Sequence, residues 1–153
     1  MNRFILMTAC VLAFSIAGMA QTTPARKAPA IADASTTSLL RATPAYAEVL
    51  LHKTELEAEL ESLLMEYTED YPRVKDLRVE LEVLKPEIDR ILAVKPSDSG
   101  KLTQALGKLI LGKVAHAATL KKLQSQFQDA HPSVKKEKRM VEIFEAAIKE
   151  ILG

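Results

Sequence analysis

The chain has 153 residues, with 21 Lys/Arg against 20 Asp/Glu and a net charge of +1, which leaves room for one modest domain and a targeting segment. So even a balance supplies no global attraction to nucleic acid or to anionic lipid. A single cysteine, Cys10, excludes a disulfide framework within the chain and a thiolate metal cluster.

The first twenty residues read as an address. Asn2-Arg3 gives a short positive start, and residues 4–17 are apolar apart from Thr8, Cys10 and Ser15. Gly18-Met19-Ala20 then offers small residues at the −3 and −1 positions of a cleavage site before Gln21. This is the pattern of a secretory signal peptide over 1–20. Its apolar run falls short of the ~20 residues of a spanning helix. Cys10 follows Arg3 too soon for a lipoprotein box, so cleavage after Ala20 is expected, with a periplasmic or extracellular product and no stable membrane insertion of the mature chain. Residues 21–42 are rich in Ala, Thr, Ser and Pro and lack helical apolar spacing, which predicts a flexible linker.

From Thr43 the chain repeats itself. Residues 43–93 lie on 103–153 at an offset of sixty without a gap. Identities include Thr43/Thr103, Leu51/Leu111, Lys53/Lys113, Ala58/Ala118, Leu63/Leu123, Pro72/Pro132, Val74/Val134, Lys75/Lys135 and Ile88/Ile148. Tyr67/Phe127, Val83/Ile143 and Leu84/Phe144 are similar pairs. Shared heptads can align by chance, but coincident prolines, aromatics and Val-Lys steps point to a duplication.

Each copy reads as two helices. In the first, apolar positions run Val49, Leu56, Leu60, Leu63, Tyr67, with Lys53 filling one gap. After a break they run Val74, Leu77, Leu81, Leu84, Ile88, Ile91. The second copy has Leu102, Leu106, Leu109, His116, Leu120, Leu123, Phe127, then Val134, Val141, Phe144, Ile148, Ile151. All are heptad seams. Thr43 is placed to cap the first helix, with Pro44 at its first position.

The breaks are Tyr67-Thr68-Glu69-Asp70-Tyr71-Pro72-Arg73-Val74-Lys75 and Phe127-Gln128-Asp129-Ala130-His131-Pro132-Ser133-Val134-Lys135. Proline has no N–H and pushes the preceding residue out of helical geometry. Each first helix therefore stops before Tyr71 or His131, and Pro72 or Pro132 opens the next. Tyr67 with Val74, and Phe127 with Val134, are expected to pack over hairpin tips at 69–72 and 129–132. Residues 94–102 carry Pro, Ser, Asp and Gly and read as a loop. The expected fold is all-α, two tandem antiparallel helical hairpins over 43–93 and 103–153. Leu50, Leu64, Val83, Leu92, Ile110, Val114 and Ile143 widen the apolar stripes. That width predicts burial of one hairpin on the other in an up-down-up-down four-helix bundle. The alternative is two extended hairpins that bury the stripes against other chains. Pro86, opposite Ala146, predicts a kink.

These tips resemble the periplasmic coiled-coil hairpin of bacterial polysaccharide co-polymerases, the chain-length regulators, in which Leu-x-x-x-Tyr ends a helix and His-Pro-x-Val opens the next. Leu123-x-x-x-Phe127 with His131-Pro132-x-Val134 fits that pattern, and Leu63-x-x-x-Tyr67 with Tyr71-Pro72-x-Val74 fits it with Tyr for His. The likeness covers the tips and the adjoining heptads. The chain departs from the family in having no second apolar span. What the resemblance implies is the periplasmic element alone, duplicated, at work in the cell envelope.

No constellation in the sequence carries chemistry. His52, His116 and His131 have no second ligand at metal spacing, and His116 reads as a partly buried packing residue. Glu55, Glu57, Glu59 and Glu61 spread around their helix instead of converging. There is no phosphate loop and no nucleophile beside a base. A non-enzymatic protein without cofactor or metal is expected, binding protein partners through its helices and open to self-association. A periplasmic chaperone for unfolded clients is the alternative. One further signal lies in the charges. Repeat 1 carries 13 Asp/Glu and 6 Lys/Arg, net −7, whereas repeat 2 carries 5 and 9, net +4. The basic excess concentrates in Lys121-Lys122 and in Lys135, Lys136, Lys138 and Arg139, and the latter four form a candidate interaction patch, for acidic repeat 1, a second copy or an anionic surface.

Overall fold

Thr43 and Thr103 do the same job sixty residues apart. In the computed structural model, which describes residues 30–153 with side chains from Ser35 onward, Thr43 Oγ1 accepts from the Tyr46 N–H at 3.4 Å and Thr103 Oγ1 accepts from the Leu106 N–H at 3.3 Å. Each threonine thereby satisfies one of the unpaired amides of a helix start. The helices they open are α2, Pro44–Glu66, and α4, Gln104–Gln124. The prolines open the partners, α3 over Pro72–Leu92 and α5 over Pro132–Leu152, again sixty residues apart. The described chain is all-helical, with an N-terminal α1, Ala30–Arg41, and a short 3-10 helix, Pro96–Lys101, in the predicted 94–102 loop. α3 runs on through Pro86, which lies on the exposed side. The segment read as a signal peptide lies outside the described residues.

The linker expected over 21–42 differs in its described part, since Ala30–Arg41 is helical. Leu40 ties its end to the core. Leu40 is 1% exposed and joins the core, and burial of a leucine contributes roughly 2 kcal/mol. Thr43 Oγ1 donates to the Leu40 carbonyl at 2.7 Å and locks the α1–α2 junction. The composition of 21–42, rich in Ala, Thr and Ser, shows no apolar period, so this helix carries no spacing signal.

The core runs through Val49, Leu56, Leu77, Leu84 and Ile91 of the first hairpin and Leu106, Ile110, Val114 and Ile148 of the second. α4 is the shared helix and packs against α2, α3 and α5. A closed four-helix ring would also set α5 beside α2, but the extensive backbone contacts of α5 are with α4 and the 3-10 helix. Of the widened stripes, Ile110 and Val114 are fully buried, whereas Leu50 and Ile143 remain exposed. Near their starts α2 and α4 come close. A Cβ on Gly107 would lie 3.2 Å from the Ala45 Cα, so glycine permits this crossing. The Ala45 N–H donates to the Leu102 carbonyl at 3.1 Å and Lys101 Nζ to the Leu152 carbonyl at 3.0 Å, tying the hairpins together at the end away from the tips. Among the described residues no helix is long and apolar enough to cross a membrane.

Gly112 marks a local difference between the copies. The Phe144 ring occupies its missing side chain, and a Cβ there would come within 2.7 Å of Cζ. Gly112→Ala is expected to lower stability by about 1–3 kcal/mol through overpacking. Adding Phe144→Leu, the residue at position 84, should restore most of that. Urea unfolding of the single and double variants measures both effects.

Candidate functional site

The two tips share one construction. The Tyr67 N–H donates to the Leu63 carbonyl at 2.7 Å, and the Phe127 N–H to that of Leu123 at 2.8 Å. The chain then turns out of the helix and closes on itself, with the Tyr71 N–H on the Thr68 carbonyl at 3.0 Å and the His131 N–H on that of Gln128 at 2.9 Å. Tyr71 (φ −59°, ψ 131°) and His131 (φ −62°, ψ 137°) take the extended geometry that the following proline imposes. This places the two ring residues of each tip face to face. Tyr67 stacks on Tyr71 at a centroid distance of 4.2 Å, and Phe127 on His131 at 4.3 Å. Such pairs contribute about 0.5–1.5 kcal/mol beyond the area they bury. Val74 and Val134 are fully buried beneath, whereas Tyr67, Tyr71 and Phe127 stay 43, 38 and 41% exposed. The valines are wholly enclosed in the hairpin ends, and the part-exposed rings stack over them.

Charges differ around that shared frame. At the first tip Arg73 makes two parallel bonds of 2.7 Å to the Glu59 carboxylate and clamps α3 to α2. That hydrogen bond holds Glu59 below the usual carboxylate range and raises Arg73. Lys75 pairs with Asp70 at 2.8 Å, and its hydrogen bond likewise lowers Asp70. Arg78 pairs with Glu69. At the second tip His131 Nδ1 accepts from the Ser133 N–H at 3.2 Å and caps α5, a role that Tyr71 cannot fill. An open cleft of about 630 Å³ lies between the first tip and the end of α4. Its charged walls are already neutralised, by Lys122–Asp76 at 2.7 Å, Lys121–Glu82 at 2.6 Å and the Lys75–Asp70 pair.

The basic patch stands elsewhere. Lys135, Lys136, Lys138 and Arg139 are all exposed on α5. Arg139 reaches Glu142 on its own helix at 3.2 Å, and the other three form no ion pair with a described residue. Acidic repeat 1 of the same chain is therefore not the partner of this patch. The charge complementarity between the repeats is carried by the lysines of α4.

Pattern reading missed the most buried of these contacts. Lys113 of α4 bonds to Glu87 of α3 at 2.6 Å and to Glu145 of α5 at 2.7 Å, and Arg90 of α3 bonds to Glu145 at 2.9 Å. Glu87 is 7% exposed, and its Oε2 accepts no hydrogen bond and lies 3.8 Å from Arg90 Nη1. Burial opposes the charge on Lys113, but the bonds to Glu145 and Glu87 outweigh it and leave the pKa above the ordinary lysine value. Burial likewise opposes the charge on Glu145, and the bonds from Lys113 and Arg90 outweigh it and hold its carboxyl low. The signal in the sequence was a lysine in a seam gap, repeated at the offset of sixty. His116 is half-buried as expected, 2.7 Å from Glu137 and tilted on Phe144 at 5.4 Å. Among the described residues no three His, Cys, Asp or Glu side chains gather as a cation site.

Removing Lys113 leaves Glu87 buried without a hydrogen-bond donor, while Glu145 keeps only Arg90 at close range. Lys113→Met is expected to cost about 2–4 kcal/mol. Pairing lowers Glu145, so its contribution is full above the ordinary value of 4.5 and lost as pH falls through the lowered one. Lys113 is raised, so its contribution is full below 10.5 and lost as pH rises through the raised one. The stability difference between wild type and variant should therefore be greatest from about pH 5 to 10 and shrink on both sides. Thermal unfolding across pH measures it.

No protein-family model, no curated protein and no solved structure matches this chain. What the tips and faces do rests on their own residues.

Proposed function

We propose that this chain is a non-enzymatic helical-hairpin protein that acts, after export, as a structural or protein-interaction module of the bacterial cell envelope. The observation that carries this reading is the pair of exposed aromatic stacks, Tyr67–Tyr71 and Phe127–His131, held at the ends of two hairpins of one design. Rigid, half-exposed rings supply contact area at little entropic cost, which is what anchors of protein interfaces provide. In this reading the four long helices work as one up-down-up-down unit, supported by the Lys113 cluster and the α2–α4 crossing. Polysaccharide export is the process in which the likeness of the tips to co-polymerase hairpins would place the module. Met65 and Leu51, 84 and 59% exposed, favour a second reading, a chaperone that cradles unfolded clients.

A photo-cross-linking residue at Tyr71 or at His131 in cells tests the first reading. Discrete envelope proteins should be captured from both tips, and Tyr67→Ser with Phe127→Ser should reduce capture severalfold while circular dichroism stays unchanged. Capture no greater than from an exposed control position such as Glu150 would remove the reading. Suppression of the aggregation of a denatured client, retained in the serine variant, would establish the chaperone instead.

A further inference from the structure

The two repeats have the same helices but not the same neighbours. Within the chain, α4 lies on the face made by α2 and α3, and nothing described lies in the corresponding place on α4 and α5. Exposure records the difference position by position. On the docking face of α4, Gly107 and Val114 are buried, Ile110 is fully buried and Ala118 is 7% exposed. The counterparts on α2, sixty residues earlier, are Ala47, Thr54, Leu50 and Ala58, and all four are exposed. The receiving face behaves in the same way. Ala45 is fully buried and Val83 is packed on the core, whereas their counterparts Ala105 and Ile143 are exposed, Ile143 by 49%. Each chain thus has one filled joint and two unfilled half-joints, one of each kind.

Charge says what fills them. In the filled joint, Lys121 and Lys122 of α4 meet Glu82 and Asp76. In the unfilled half-joints Glu61 stands in place of Lys121 and Lys136 in place of Asp76, while Ser62 replaces Lys122 and Glu142 keeps the acid of Glu82. The α2 face offers Glu55 and Glu61, and the receiving face offers Lys108, Lys136 and Arg139, all exposed. Glu142, the counterpart of Glu82, is held by Arg139. An acidic helix with small apolar side chains fits a basic face with Ala105 and Ile143 on it, and this chain carries that helix itself.

We propose that copies of this chain stack head to tail, the α2 face of one copy (Ala47, Leu50, Glu61) lying on the α4–α5 face of the next (Ala105, Lys136, Ile143), as α4 lies on α2 and α3 within a chain. Ala47 carries a Cβ where Gly107 has none, so the crossing between copies is wider than the one within a chain. The contact is heterologous, so each copy added leaves a free half-joint at both ends of the stack. This deepens the interaction-module reading by naming a second copy as the partner of these faces, and it leaves the tips free for another protein.

Ala58 and Met140 test the geometry, because their counterparts Ala118 and Glu80 line one cleft of the filled joint, while α2 and α5 make no extensive contact within a chain. In the full chain with Cys10→Ser, Ala58→Cys plus Met140→Cys treated with a short bis-maleimide should give a ladder of dimers, trimers and higher species. An equal mixture of the two single variants should stop at one dimer band. A dimer from either single variant alone would indicate a symmetric contact and overturn the proposal, as would monomer from the double variant. Sedimentation gives the second readout. Glu61→Lys should weaken self-association about tenfold, and Lys136→Glu in the same chain should restore it. Association insensitive to both changes overturns the proposal too. Envelope proteins captured at the tips of a chain that stays monomeric would sink the stacking and leave the interaction module standing.

Discussion

Lys113 holds a positive charge where three helices meet, and the geometry of the second hairpin depends on it. Its twin, Lys53, pairs with Glu57 along its own helix and stays near water. In α4 the same residue is covered, because α3 and α5 lie on either side. A lone ammonium there would be strongly destabilising, and the carboxylates of Glu87 and Glu145 remove that penalty only if both helices stay within hydrogen-bond reach. Apolar contacts between α4 and its neighbours tolerate sliding, whereas this cluster does not. Arg90 adds the direct tie between α3 and α5. The placing of one hairpin on the other is thus specified by four charges in a row of leucines.

Around this constraint the two copies have diverged by matched pairs of changes. Leu56 and Leu77 are buried in the first hairpin. In the second the same positions hold His116 and Glu137, joined at 2.7 Å. His52, which reaches Glu80 at 3.2 Å, is replaced by Gly112, and the space is taken by Phe144 in place of Leu84. Each swap keeps the hairpin closed by a different interaction. What did not diverge are the threonine caps Thr43 and Thr103, the prolines Pro72 and Pro132, and the stacking of two rings at each tip. Those residues set where the helices start and how the tips present their aromatics, and so they bear on the proposed interaction role.

Much of this architecture was legible in the sequence, for identifiable reasons. Proline and threonine act on the backbone beside them, so helix starts at residues 44, 72, 104 and 132 follow from local chemistry. The seams followed from spacing. Contacts between helices were less legible. α1 escaped notice because its Ala/Thr/Ser-rich sequence carries no apolar period. The stacking of the tip rings needed the extended geometry of Tyr71 and His131 before the partners could be named. The charge asymmetry of the repeats was visible, and so were both basic runs, Lys121-Lys122 and the cluster at 135–139. What spacing could not say is that the first run, with Lys113, faces the acidic helix α3 while the second does not.

The position of α5 has a consequence for motion. It rests along one long helix, with the 3-10 helix at one end and a single arginine reaching it from α3. The trio of α2, α3 and α4 keeps its mutual contacts without it. A large opening that this arrangement permits is a swing of α5 about the turn at residues 125–131, a partial unfolding that leaves a three-helix remainder intact. Amides of α5 would exchange with solvent through that opening, while those of α4 wait for the whole molecule to come apart.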